Sequence, residues 1–184
     1  MLRNLQRLAR EGIRHCYAQC DVTDLAAVQE AVHHIEQGLG PVTAILHGAG
    51  VSQLQLFRDM ELESYRRGIR VKARGLYNLL ATVPPQRLKA VHVTSSVLGK
   101  TGMQGQADYT FANAWLDGAV SAVAAAYPHL HYLSLGYSVW AETGLGKRLG
   151  TLDSLTLLGV TAMSTQDRVS SYLDLLQSPP VGSP

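Results

Sequence analysis

Short apolar runs alternate with helix-type patterns along most of the chain. Residues 24–40, DLAAVQEAVHHIEQGLG, carry apolar side chains every three or four positions and so predict an amphipathic helix. Residues 42–50, VTAILHGAG, form a continuous apolar run ending in glycines, as expected of a buried strand that leads into a turn. The same patterns predict strands over 15–21, 89–96 and 131–138, and helices before Gly12 and over 61–82, 107–126, 151–158 and 165–177.

This alternation of strand and helix predicts an α/β fold with a parallel sheet, right-handed crossovers and helices on both faces. The strands are continuous apolar runs, as sheets covered on both faces require. In such sheets ligands bind beyond the carboxyl ends of the strands. Small, polar and hydroxyl residues collect at those ends, namely Asp21, HGAG at 47–50, TSS at 94–96 and YSVWAET at 137–143. We therefore expect the functional site along this edge.

The bulk composition is that of one globular domain. The chain has 184 residues, of which 46% are hydrophobic and 16% charged, and its net charge is +2. Basic residues cluster between Arg66 and Arg74, but without the interleaved aromatics of a nucleic-acid surface, so we expect no nucleic-acid partner. No apolar run approaches the roughly 18 residues of a membrane helix, and the N-terminus lacks a signal-peptide stretch. A cytoplasmic location without membrane attachment is the default expectation.

The cysteines and histidines predict neither a disulfide nor a metal site. On a strand, Cys16 and Cys20 would lie ~13 Å apart, well beyond the about 7 Å that a disulfide spans. The seven histidines are scattered, and no cysteine or carboxylate set accompanies them at zinc-ligand spacing. We therefore expect buried or surface roles for these residues.

The most informative stretch is SSVLGKTGMQGQADYTFAN, residues 95–113. Ser95 and Ser96 end a predicted strand, and Tyr109 and Asn113 lie one turn apart on the same face of the following helix. A phenol has a pKa of about 10 and becomes a useful acid near neutral pH when a nearby ammonium stabilises its anion. A hydroxyl can then hold a carbonyl oxygen while the phenol protonates it. This is the acid half of carbonyl reduction, whose other half is a hydride from a nicotinamide cofactor.

At these residues the chain resembles the short-chain dehydrogenase/reductase superfamily, and within it the ketoreductase domains of modular polyketide synthases. The similar segments are CDVTD at 20–24, LHGAGV at 46–51, VKARGLYNLL at 71–80, the stretch 94–118, and LSLGYSVWAETGLG at 133–146. Most short-chain reductases place a lysine four residues after the tyrosine. Here that residue is Asn113, as in the polyketide ketoreductases, whose lysine comes from the earlier helix. Lys72 occupies that place, 24 residues before Ser96, and Tyr109 follows 13 after Ser96.

The resemblance implies roles for individual residues. Tyr109 is the expected general acid, Ser96 orients the carbonyl, Lys72 lowers the pKa of the tyrosine, and Asn113 belongs to a proton-relay network. Ser95 is expected to be a structural hydroxyl. The expected contacts to an NADPH cofactor are Asp21, Val22, His47, Gly48, Ala49, Gly50, Lys72, Tyr109, Ser138, Val139 and Thr143. No metal is expected.

The implied fold is a three-layer Rossmann-like sheet, and the implied activity is NADPH-dependent reduction of a β-ketoacyl thioester. The substrate would be carried on an acyl carrier protein, with other domains of a polyketide or fatty-acid synthase as partners. Residues 52–54 and Thr101 lack the family's stereochemical signatures, so the configuration of the alcohol is left open. One alternative is a non-catalytic, reductase-like structural subdomain, although those lack the serine and tyrosine. The other is a stand-alone short-chain dehydrogenase, against which Asn113 argues.

The family pattern is also incomplete in this sequence. The Gly-rich turn that holds the cofactor pyrophosphate, the first two strands and the last strand have no counterpart. Ser138-Val139 replaces the usual Gly-Pro of the nicotinamide loop. We expect residues 1–177 to be the catalytic part of a larger ketoreductase domain, with 178–184 as a linker or tail. Alone, the chain is expected to be inactive and poorly stable.

Overall fold

The computed structural model describes residues 2–139 and 161–178 as an α/β fold around one small parallel sheet. The strands are β1 (Ala44–His47), β2 (Ala90–Ser96) and β3 (His131–Tyr137), in the order β1-β2-β3. The helices are α1 (Leu2–Arg10), α2 (Leu25–Leu39), α3 (Leu62–Thr82), α4 (Leu98–Thr101), α5 (Ala107–Ala126) and α6 (Thr165–Gln177), with 3-10 turns at Phe57–Asp59 and Pro85–Arg87. All strands run parallel, so their carboxyl ends share one edge.

The central strand β2 is buried on both faces. Val91 and Val93 are fully buried and pack in one core with Leu76 of α3 and Leu116 of α5. His92 points to the opposite face, where its ring is hydrogen bonded at 2.8 Å to Tyr172 of α6. Helices therefore cover both faces of the sheet, as the sequence predicts.

Both ends of α2 follow from local chemistry. The side chain of Asp24 accepts hydrogen bonds from the backbone N–H groups of Ala26 and Ala27, which makes Asp24 the N-cap. Gly40 ends the helix with a φ of +89°, a conformation that favours glycine. Capping within the segment therefore sets both ends of α2.

The predicted strand over residues 15–21 is wrong. Cys16, Ala18 and Cys20 are half-buried and alternate with exposed residues, as on a strand, but nothing in the described part of the chain pairs with them. Alternation sets which face a side chain takes, whereas a strand also needs a hydrogen-bonded neighbour. Both cysteines are free thiols.

The other predicted elements match the structure closely, with two exceptions. The strand expected over 42–50 is shorter, because the chain leaves the sheet after His47. The helix expected over 151–158 lies outside the described residues, as does most of the predicted tail at 178–184. Within the described ranges, no helix is long and apolar enough to cross a bilayer. The same ranges contain no cluster of three or more side chains placed to bind a metal ion.

Candidate active site

The side chain of Lys72 is buried beside the turn that follows β1. It is 3% exposed, and its Nζ donates a hydrogen bond to the backbone carbonyl of Thr94 at 2.8 Å. A Cβ at Gly50 would lie 3.2 Å from the Lys72 Cε, so the glycine leaves room for the lysine. Burial lowers the pKa of Lys72 to about 8, although the carboxylate of Asp117 acts in the opposite direction.

A hydrogen bond of His47 joins β1 to the turn of α3 that carries Lys72. Its Nε2 donates to the backbone carbonyl of Lys72 at 3.0 Å, and its side chain is 2% exposed. A Cβ at Gly75 would lie 2.9 Å from the His47 Cε1 and 3.0 Å from the side chain of Val22, so this glycine lets three segments meet. Burial, followed by the charge of Lys72, lowers the pKa of His47 to about 4, and the ring is neutral at pH 7. A neutral His47 thus fixes the backbone that carries Lys72.

Tyr109, Ser96 and Asn113 meet where β2 ends and α5 begins. The Lys72 Nζ lies 5.8 Å from the centre of the Tyr109 ring. Asn113 is fully buried, and its Nδ2 donates to the Tyr109 backbone carbonyl at 2.7 Å. The side chains of Asn113 and Ser96 lie close enough to the phenol to act to lower its pKa. The four residues expected to be catalytic therefore surround one point at the carboxyl edge of the sheet.

The expectation that Lys72 lowers the pKa of Tyr109 is not met in this structure. Burial is the largest influence and raises the pKa of the phenol, while Asn113, Ser96 and, at longer range, Arg168 act to lower it. Lys72 instead directs its Nζ to the Thr94 carbonyl and lies near the Tyr109 ring. The phenol is thus held protonated by its apolar surroundings.

The two serines of β2 have separate surroundings. Ser95 is buried, and its hydroxyl donates to the backbone carbonyl of Asn113 at 3.4 Å, which joins β2 to α5. The Ser96 oxygen accepts the backbone N–H of Leu98 at 3.2 Å, so its own O–H can still donate to another group. Ser95 therefore has the structural contact expected of it, and Ser96 faces the phenol.

Some of the residues expected to contact a cofactor follow β1, and others end the unpaired segment at 15–21. Gly48, Ala49 and Gly50 form the turn after β1, and a Cβ at Gly48 would lie 3.7 Å from the Thr94 Oγ1. Asp21 is exposed, and its carboxylate accepts the Thr23 backbone N–H at 2.8 Å, which lowers its pKa. The small side chains of residues 48–50 and the exposed Asp21 carboxylate are compatible with a nucleotide.

The remaining expected cofactor contacts follow other elements. The backbone carbonyl of Val22 accepts a hydrogen bond from Asn78 at 2.9 Å, which anchors the end of the unpaired segment to α3. Ser138 and Val139 follow β3, where the Ser138 hydroxyl donates to the Thr161 carbonyl at 2.7 Å. The Met163 N–H donates to the Val139 carbonyl at 3.0 Å. Thr143 lies outside the described residues.

Sequence reasoning missed two buried charged groups at this site. Arg168 of α6 is 1% exposed, its guanidinium donates to the Ser138 carbonyl, and it stacks 4.9 Å from the Tyr137 ring centre. Asp108, next to Tyr109, is 4% exposed. No spacing or motif distinguishes either residue from an ordinary surface charge on an amphipathic helix, so only the three-dimensional contacts identify them.

The fold and this site define a Rossmann-like α/β protein of the short-chain dehydrogenase/reductase type. A profile of the KR domain family matches residues 2–142, and the chain belongs to this family of polyketide synthase ketoreductase domains.

Known proteins similar to the chain are polyketide synthases and their reductase domains. The chain is 28% identical over 173 residues to polyketide synthase PksN of Bacillus subtilis strain 168, an alignment that covers 91% of this chain and 3% of PksN. It is 34% identical to polyketide synthase GfsB of Streptomyces halstedii, with 80% of this chain and 3% of GfsB covered. Among solved structures, a ketoreductase domain from the bacillaene assembly line is 25% identical, with a TM-score of 0.82 over 97% of this chain and 44% of that one. The chain thus spans a small part of the synthases and under half of that solved chain.

Proposed function

We propose that the chain provides the substrate-reducing half of a ketoreductase that converts a β-ketoacyl thioester into the β-hydroxyacyl form during polyketide biosynthesis in the cytoplasm. The observation that carries the proposal is the convergence of Lys72, Ser96, Tyr109 and Asn113 at one sheet edge. Membership of the KR domain family supports the reaction type. The relatives are large synthases, which supports other synthase domains and a carrier-bound substrate as partners.

In this proposal Tyr109 donates the proton to the substrate oxygen. Its pKa is raised by burial, so the O–H is retained at neutral pH and is available to a carbonyl oxygen that becomes basic as it is reduced. Ser96 keeps a free O–H and holds the same oxygen in place. Asn113 fixes the first turn of α5 by bonding the Tyr109 carbonyl, so the phenol does not have to be positioned during the reaction.

NADPH is the proposed cofactor, and when bound it supplies the hydride. The residues that would hold it are Asp21, Val22, His47, Gly48, Ala49, Gly50, Lys72, Tyr109, Ser138, Val139 and Thr143, the last of which lies outside the described residues. The small residues at 48–50 and the exposed Asp21 carboxylate fit this group. Lys72 contributes a positive charge next to the phenol, and its Nζ donates a hydrogen bond to the Thr94 carbonyl.

The test is reduction of a β-ketoacyl thioester, followed by NADPH oxidation, in a complete ketoreductase polypeptide that contains this chain. Tyr109→Phe removes the proton donor and keeps the ring, so the rate is expected to fall by about 10²–10⁴-fold with the melting temperature retained. Tyr127→Phe removes a hydroxyl at the opposite end of α5 and is the control. Wild-type turnover in the Tyr109→Phe protein would favour the non-catalytic, structural alternative.

We also propose that the 184-residue chain is inactive by itself. Its sheet has three strands in the described residues, and the expected pyrophosphate turn has no counterpart in the sequence. The same assay with the chain alone is therefore expected to show no NADPH oxidation above background. A rate like that of the complete polypeptide would overturn this part of the proposal.

A further inference from the structure

Arg168 of α6 is the most deeply buried charged side chain in the described part of the chain. It is 1% exposed, although arginine is almost never fully buried unless it is paired. Taking a guanidinium out of water is costly, and an apolar side chain of similar volume is often at least as stable in such a place. The packing of α6 on the sheet therefore does not by itself require an arginine at this position.

The contacts of Arg168 lie where the chain leaves β3. Its Nη2 donates a hydrogen bond to the backbone carbonyl of Ser138, and its Cζ lies 4.9 Å from the centre of the Tyr137 ring. The Tyr137 hydroxyl in turn donates to the backbone carbonyl of Arg168 at 3.4 Å. A planar guanidinium can stack on a ring and donate to a carbonyl at the same time. Both the side chain and the backbone of Arg168 thus contact the end of β3.

The chain that leads into α6 contacts the same place. The Ser138 hydroxyl donates to the Thr161 carbonyl at 2.7 Å, and the Met163 N–H donates to the Val139 carbonyl at 3.0 Å. These hydrogen bonds hold the Ser138 side chain and the Val139 carbonyl, whereas Arg168 holds the Ser138 carbonyl. The two residues after β3 are therefore bound through three different groups.

This end of β3 adjoins the proposed catalytic residues. Tyr137, on which the guanidinium stacks, is the register partner of Ser96 on the neighbouring strand. The guanidinium also lies close enough to Tyr109 for its charge to act to lower the pKa of that phenol. Ser138 and Val139 are among the residues proposed to hold NADPH. A change in the backbone at these two residues would therefore alter the place where the cofactor is proposed to bind.

We propose that Arg168 is a positioning residue, which fixes the backbone of Ser138 and Val139 for contact with NADPH. It acts through the Ser138 carbonyl and the Tyr137 ring and needs no contact of its own with the substrate. This inference rests on the proposed function, because it concerns the cofactor named there. The competing explanation is charge alone, since a cation attracts the anionic cofactor from a distance, and the experiment separates the two.

The test uses a complete ketoreductase polypeptide that contains this chain, and the dissociation constant of NADPH is measured from its fluorescence without substrate. Arg168→Met removes the charge and the donors, and it is expected to weaken NADPH binding by about tenfold, because an unanchored segment has to be ordered on binding. Arg168→Lys keeps the charge but lacks the planar fork, so it is expected to weaken binding by about fivefold. Wild-type affinity in Arg168→Lys would mean that charge alone acts, and it would overturn the proposal.

A second readout needs no cofactor. Hydrogen exchange of the Met163 backbone amide, which donates to the Val139 carbonyl, reports how firmly that carbonyl is held. In the cofactor-free polypeptide this exchange is expected to be about tenfold faster in both Arg168 variants than in the wild type. Unchanged exchange in both variants would contradict the anchoring role.

Tyr172→Phe is the matched control, because Tyr172 lies one turn further along α6 and is hydrogen bonded to His92 at 2.8 Å. The variant loses a contact between α6 and the sheet at a distance from Ser138, so it is expected to melt at a lower temperature and to bind NADPH as the wild type does. Circular dichroism melts check that each variant is folded. Weakening of NADPH by Tyr172→Phe to the level of Arg168→Met would attribute the effect to looser packing of α6 and overturn the proposal. Should Arg168→Met fail to fold, Arg168→Lys compared with Tyr172→Phe still decides.

The failure of this inference is distinguishable from that of the proposed function. A complete polypeptide that reduces the thioester with NADPH, and whose Arg168 variants bind NADPH as the wild type does, retains the function and loses the positioning role. A wild-type polypeptide that binds no NADPH removes the proposed cofactor and this inference together.

Discussion

Acidification is expected to weaken the fold through His47. The ring is 2% exposed and donates to the Lys72 carbonyl at 3.0 Å, so the native state holds it neutral with a pKa of about 4. In the unfolded chain the same ring has the ordinary pKa of 6.5. Between these values the unfolded state binds a proton that the native state does not. Stability is therefore complete above about pH 6.5 and is lost as the pH falls towards 4.

The size of this effect follows from the two pKa values. Each pKa unit is worth about 1.4 kcal/mol, and integration of the linkage relation gives a loss of about 2 kcal/mol by pH 5 and about 3 kcal/mol by pH 4. A domain with a total stability of about 5–15 kcal/mol would register this loss clearly. His47→Gln removes the titrating ring and keeps an N–H donor for the Lys72 carbonyl, so it isolates the contribution of this residue.

The assay is urea unfolding followed by circular dichroism at pH 7, 6, 5 and 4. The free energy of unfolding of the wild type is expected to fall by about 3 kcal/mol more than that of His47→Gln between pH 7 and pH 4. His34→Gln, which replaces an exposed histidine of α2, controls for the loss of a histidine as such. Parallel pH profiles for the wild type and His47→Gln would refute the claim that burial holds this ring neutral.

The other substitutions test packing and local structure by the same unfolding assay. Gly68→Ala is expected to lower the free energy of unfolding by about 1–3 kcal/mol, because its Cβ would meet Asp108. Gly118→Ala is expected to raise it by about 1 kcal/mol, because nothing lies within 4 Å of an added Cβ. The reverse order would contradict the close approach of α3 and α5. Leu116→Ala, at a fully buried position, is expected to lose about 2–5 kcal/mol, and a loss below 1 kcal/mol would place it outside the core. Asp24→Ala is expected to lose about 1 kcal/mol, with no change if its two cap hydrogen bonds are absent.

Much of the fold follows from patterns that act locally. The helix over residues 107–126 and the helix over 165–177 have the same limits in the sequence prediction and in the structure. Their apolar spacing is local, and the second helix also has its own cap at Ser164. The segment at 15–21 has the alternation of a strand and yet forms none, because strand formation depends on a neighbour elsewhere in the chain. Local patterns therefore predict where a segment turns and which side it buries, but not with what it pairs.

The sequence predicted that Lys72, Ser96 and Tyr109 would lie near one another, but not the electrostatics of Tyr109. The intervals between Lys72, Ser96 and Tyr109 are fixed by element lengths, so a sequence resemblance carries them directly. The direction in which the pKa of Tyr109 shifts depends on how deeply the ring is buried and where the Lys72 Nζ points. The spacing of residues along the sequence determines neither. The burial of Asp108 depends in the same way on a glycine forty positions earlier, Gly68.

The buried ammonium of Lys72 is expected to lower the stability of the fold. Burial lowers its pKa to about 8, so the ammonium form that predominates at pH 7 is disfavoured by its surroundings. A residue retained for packing alone would be expected to be apolar at a position that is 3% exposed. Lys72→Met keeps the volume and removes the charge, and we expect it to raise the free energy of unfolding by about 1–2 kcal/mol after the loss of the Thr94 hydrogen bond is counted. A less stable Lys72→Met chain would mean that the lysine stabilises the fold, and its burial would then no longer support a role in catalysis.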